Sequence, residues 1–149
     1  MNMKNLQVKK VAVYCRIEKN DLTERCNIDV QKDFADSFIH LNKYELYDYY
    51  VDDCASGTTP IEERPEGSRL LQDAADKRFD TVLVYSLGNI GCETIIILKT
   101  LQSLVDNGIS VRSMTEPVVD TSTPTGLFFI SVLSNIAEWE AKMLATANQ

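Results

Sequence analysis

Apolar positions recur along this chain in two alternating rhythms. Val8 to Ile17 is a short β-branched run of strand length. Asn27 to Leu41 places Ile28, Phe34, Ala35, Phe38, Ile39 and Leu41 on a 3.6-residue period, which predicts an amphipathic helix. Tyr44 to Val51 reads as a second strand. The polar stretch Asp52 to Glu63, with Gly57 and Pro60, reads as a loop. Pro65 suits the first turn of a helix reaching about Lys77. Phe79 to Leu87 is nearly continuous in apolar residues, as a central strand is. Glu93 to Asp106 is a helix closed by Asn107-Gly108, and Ile109 to Met114 is a fourth strand. This alternation predicts an α/β fold: a mostly parallel central sheet of four to five strands flanked by helices.

The last segment differs. Thr123-Pro124-Thr125-Gly126 opens a helix predicted to run almost to the end of the chain. Leu127, Phe128, Phe129, Ile130, Val132, Leu133 and Ile136 cover far more than one helical stripe. A helix apolar on most sides must be buried on most sides, and its own sheet covers only one. The other side calls for a second chain, with Leu127, Phe128, Phe129, Val132 and Ile136 as the expected dimer interface. The alternative is a helix sandwiched within the monomer.

Composition narrows the classes. Hydrophobic residues make up 44% and charged residues 25% of 149 residues, an ordinary globular balance for one domain. No run reaches the roughly 20 apolar residues of a membrane span, and Met1 to Lys10 lacks a signal-peptide core. A cytoplasmic protein with no membrane contact is expected. Cys15, Cys26, Cys54 and Cys92 are widely spaced, without a C-x-x-C pair, so free thiols are expected and a zinc site is not. No metal and no cofactor is expected. The loop Ile17 to Asn20 has no glycine, which argues against a dinucleotide site. The net charge of −7 argues against this chain alone gripping DNA, since Lys and Arg supply most non-specific affinity.

Five stretches carry a family resemblance in order and spacing. They are Tyr14-Cys15-Arg16-Ile17; Gln31 on the first helix; Asp52 to Thr58 with Ser56-Gly57-Thr58, followed by Arg64-Pro65; Asp120 to Gly126; and Ala137-Glu138-Trp139-Glu140. Together they resemble the catalytic domain of the serine site-specific recombinases (resolvases, invertases and large integrase-type members). The resemblance implies a resolvase-like fold whose long C-terminal helix dimerises. It also implies DNA binding, and site-specific recombination or integration in the setting of a mobile element. The expected domain is 1–149, ending within the long helix that starts near 124, with no DNA-binding domain in this chain.

The family's chemistry is a transesterification by a serine hydroxyl, with arginines holding the phosphate. By that resemblance Arg16, Arg64 and Ser56 occupy catalytic positions, and Glu18 stands at the nucleophile position. The family's Asp-Arg-x-x-Arg motif reads Gly88-Asn89-Ile90-Gly91-Cys92, so its charged positions are Gly88, Asn89 and Cys92. Ala141 and Ala147 stand where further arginines are expected. An anionic Glu18 repels a phosphate, and each lost positive contact removes about 2.7–4 kcal/mol of transition-state stabilisation by comparison with oxyanion-hole deletions. Such losses need not add.

Other nucleophiles fare no better. Strand alternation turns Cys15 away from Arg16. Ser56 reads equally as a phosphate contact or as turn chemistry before Gly57. His40, the only histidine, is expected at the surface. The expected function is therefore a recombinase-family domain that no longer cleaves DNA and reaches DNA through a missing C-terminal region or partner subunits. The alternative is a regulatory partner that forms homodimers or heterodimers with an active recombinase. Two further readings are an enzyme completed in trans by a partner's residues and an unrelated small-molecule α/β protein.

Overall fold

The computed structural model describes residues 8–18 and 27–147. Cys26 and residues 19 and 20 of the expected first loop lie outside the described residues. Among the described residues four strands and four α-helices alternate: β1 (Lys10–Arg16), α1 (Ile28–Asn42), β2 (Glu45–Asp52), α2 (Pro65–Ala75), β3 (Thr81–Val84), α3 (Thr94–Asp106), β4 (Ser110–Ser113) and α4 (Pro124–Ala147).

The local signals act as the sequence suggests. The Asn27 side chain accepts the Val30 N–H at 2.7 Å and caps α1. Pro65 opens α2, where its missing N–H leaves nothing unsatisfied. Beyond α3, Gly108 takes a φ of 78°, and Ile109 N–H returns to the Leu104 carbonyl at 2.9 Å. β3 is shorter than the apolar run Phe79 to Leu87. The chain leaves the ladder after Val84 and tightens into a 3₁₀ turn at Leu87–Asn89. Leu87 N–H there donates to the Glu116 carboxylate at 2.7 Å instead of to a neighbouring strand.

The sheet is parallel throughout, in the order β2-β1-β3-β4. The crossover from β1 to β2 runs in one direction and those from β2 to β3 and β3 to β4 run in the other. Right-handed crossovers then put α1 on one face and α2 and α3 on the opposite face. The buried residues divide the same way. Val11, Val13, Cys15 and Leu83 pack with α1, whereas Ala12, Tyr14, Val82, Val84 and Val111 pack with Leu70, Leu101 and Leu104. α4 lies on α3 and adds Leu133, Phe129, Ile130 and Ala137 to that second core. No helix among the described residues is long and apolar enough to cross a membrane.

Candidate active site

In an open parallel sheet, the crevice opens at the carboxyl ends of neighbouring strands whose crossovers depart in opposite directions. Here those strands are β1 and β3. Their outgoing segments, Arg16 to Glu18 and Ser86 to Cys92, meet the loop after β2. A cavity of about 440 Å³ lies at this junction, lined by Arg16, Ile17, Glu18, Gln31, Tyr85, Ser86, Gly88, Asn89, Gly91 and Cys92. The sequence-expected positions Arg16, Glu18, Gly88, Asn89 and Cys92 thus share one pocket.

The two arginines point inward. Arg16 donates from Nε to the Asn89 carbonyl at 3.0 Å, from Nη1 to that of Ala55 at 2.8 Å and from Nη2 to that of Gly88 at 2.6 Å. Arg64 is 1% exposed. It donates to the carbonyls of Thr59 (3.0 Å), Asn89 (3.2 Å) and Ile90, and to the Tyr14 hydroxyl (3.1 Å). Among the described residues Arg64 makes no direct ion pair. The Tyr14 hydroxyl in turn donates to Asp52 at 2.7 Å, and Asp52 accepts the N–H groups of Glu66 and Gly67, both at 2.9 Å. That carboxylate fixes the start of α2. Burial pushes the Tyr14 phenol above its ordinary range, ahead of the opposing pull of Arg64.

Gln31 and Asn89 close the floor. Gln31 accepts the Arg16 N–H at 3.2 Å and an Asn89 amide N–H at 2.8 Å, and donates to the Arg16 carbonyl at 3.2 Å. A cation in place of Asn89 would change this floor, because the Asn89 side chain is itself buried.

Glu18 sits at the mouth. Its Oε1 accepts the Gly57 N–H at 3.1 Å and the Cys92 thiol at 3.8 Å, and lies 3.5 Å from Arg16 Nη1. The Gly57 amide, with Arg16 beside it, holds this carboxyl below its ordinary range. Cys92 N–H donates to the Gly57 carbonyl at 2.9 Å. A Cβ built on Gly57 would overlap the Cys92 sulfur, so only glycine permits this approach.

Other candidates lie elsewhere. Cys15 is fully buried on the α1 face, and desolvation pushes its thiol up to about 12. Ser56 is exposed; its Oγ accepts the Thr58 N–H at 3.2 Å and shares a 2.8 Å hydrogen bond with the Thr58 hydroxyl. His40, Ala141 and Ala147 are exposed on their helices.

On α4 the expected interface residues separate. Leu127, Phe128 and Ile136 are exposed, Val132 is half-buried, and Phe129 packs partly on the core of its own chain. Trp139 and Met143, which periodicity near the start of the helix did not reach, continue the line of Phe128, Val132 and Ile136. These five fall within one narrow stripe of the helix, away from Leu133 and Ala137.

A family model described as "Resolvase, N terminal domain" matches residues 11–149. Serine recombinase PinR of Escherichia coli (strain K12) is 28% identical over 135 residues, which is 91% of this chain and 64% of PinR. The chain therefore spans less than two thirds of that curated relative. The crystal structure of the N-terminal catalytic domain of TP901-1 integrase superposes with a TM-score of 0.80 at 33% identity, covering 91% of this chain and 98% of that one. A resolvase family site-specific recombinase from Streptococcus pneumoniae gives 0.79 at 26% identity, covering 95% and 93%.

Proposed function

The chain belongs to the resolvase-type serine recombinases, as their N-terminal domain, and from that premise we propose that it serves DNA recombination without cleaving DNA itself. One observation carries this reading. By its register with the family Glu18 puts a carboxylate at the nucleophile position, while Arg16 and Arg64 each direct three hydrogen bonds to backbone carbonyls. Phosphoryl transfer needs a nucleophile and preorganised positive charge aimed at the phosphate. Gly88, Asn89 and Cys92 offer none, and Ser56 is engaged in its own turn.

What the domain retains is a pairing surface. Along this stripe Phe128, Ile136, Trp139 and Met143 present large apolar side chains to solvent, with half-buried Val132 among them, on a helix of 24 residues. Such a stripe matches the requirements of a second helix packed alongside. The domain, 1–149, joins another recombinase chain through α4, as a homodimer or as a regulatory partner of an active member. DNA contact comes from outside this domain, in keeping with its net charge of −7. The setting is cytoplasmic.

A suicide DNA substrate carrying a nick beside the crossover site tests the reading. No covalent protein–DNA adduct is expected from this chain, alone or at high concentration. An adduct would overturn it. Cleavage that appears only on mixing with an intact family member, with the adduct on this chain, would instead establish completion in trans.

A further inference from the structure

The groups that hold Glu18 are those that hold an oxyanion. Two donors converge on Oε1, the Gly57 amide at 3.1 Å and the Cys92 thiol at 3.8 Å, with Arg16 Nη1 at 3.5 Å. The Arg16 side chain is only 8% exposed, so solvent screens its charge poorly. Three of its N–H groups go to carbonyls, which leaves two on the Nη atoms for an anion at the mouth. A fixed cation and an amide aimed at one point favour negative charge. In this chain the negative charge is covalently attached, and an internal carboxylate has a large concentration advantage over any dissolved competitor.

We propose that Glu18 fills, from within the chain, an oxyanion niche formed by the Gly57 amide and the Arg16 guanidinium, and that this niche binds a phosphate-class oxyanion once the carboxylate is removed. The inference rests on the reading of Glu18 as a non-reacting group and deepens it. Glu18 does more than lack a hydroxyl. It occupies the position that a phosphate oxygen needs, and it repels what it does not block. Half of its side chain faces solvent, so its removal leaves no hole in the core.

The test follows the Gly57 amide by NMR in the ¹⁵N-labelled chain while inorganic phosphate is added. The native chain is expected to show no saturable shift at Gly57. Glu18→Ala is expected to show one, with phosphate held at least about tenfold more tightly, because the like charge is gone. Glu18→Gln, neutral but of the same size, is expected to fall between them. A folded Glu18→Ala chain without a saturable response overturns the proposal, as does native binding of equal strength. If Glu18→Ala does not fold, Glu18→Gln decides, and a response no stronger than the native chain's overturns it. DNA cleavage by the native chain would refute the preceding reading and leave this comparison intact; failure of phosphate binding would do the reverse.

Discussion

Arg16 and Arg64 share a single acceptor: Arg16 Nε at 3.0 Å and Arg64 Nη1 at 3.2 Å both donate to the carbonyl oxygen of Asn89. Two cations brought to one backbone oxygen fix the turn after β3 against the end of β1 and the start of α2. The arginines act here as fasteners between three chain segments.

Arg64→Met is therefore expected to destabilise the fold. The change takes their donor from the carbonyls of Thr59 and Ile90 and from the Tyr14 hydroxyl, and leaves the Asn89 carbonyl with Arg16 Nε alone. Each unsatisfied buried group costs about 1–3 kcal/mol, so a total loss of roughly 3 kcal/mol or more is expected. Urea unfolding measures it. A shift below about 1 kcal/mol would show that the carbonyls find other donors.

Gly57→Ala is expected to lower stability by about 1–3 kcal/mol through overpacking against the Cys92 sulfur. In a Cys92→Ala background the loss should shrink but not vanish. The new Cβ would still meet Arg16 Nη2 and the Cys92 N–H, each at 3.0 Å. A double-mutant cycle reads the coupling, expected at about 0.5–3 kcal/mol.

Glu18 gives a pH dependence of definite sign. Its carboxyl is held below the ordinary value by the Gly57 amide first, then by Arg16. The stabilisation it lends is complete above the unfolded value of about 4.3 and is lost as pH falls through the lower folded value. Protection of the Gly57 amide from hydrogen exchange should fall over that acidic window. Glu18→Gln should show no such step. Equal profiles for the two chains would remove Glu18 from the account.

The stripe on α4 predicts self-association. Phe128 is 68% exposed, so Phe128→Asp should leave the fold within about 0.5 kcal/mol of the native chain while abolishing dimers. Sedimentation velocity distinguishes the two species. A native chain that stays monomeric at high micromolar concentration would refute the homodimer and leave only pairing with a different chain.

The fold was legible because pattern and punctuation agreed. The strand Val8 to Ile17, the helical run Asn27 to Leu41, Pro65 and Asn107-Gly108 each mark an element edge close to where the structure has one. The ends of β3 were not legible, because Glu116 takes the Leu87 N–H from 29 residues away. At the site, motif spacing brought Arg16, Glu18 and Asn89 together. It could not show that Arg16 and Arg64 bond to carbonyls, since backbone acceptors carry no residue identity. The Gly57–Cys92 contact was also hidden; the sequence shows a glycine and a cysteine, not the approach that requires both. Trp139 and Met143 escaped because the apolar run is densest near the start of α4.

Arginines that tie three segments together are retained for as long as the protein must fold. A chain that no longer cut DNA would still need Arg16 and Arg64 to hold these segments of backbone together. Their survival is then no record of activity. Arginines at these two positions are therefore no measure of catalytic competence, here or in any relative whose guanidinium groups bond to its own backbone.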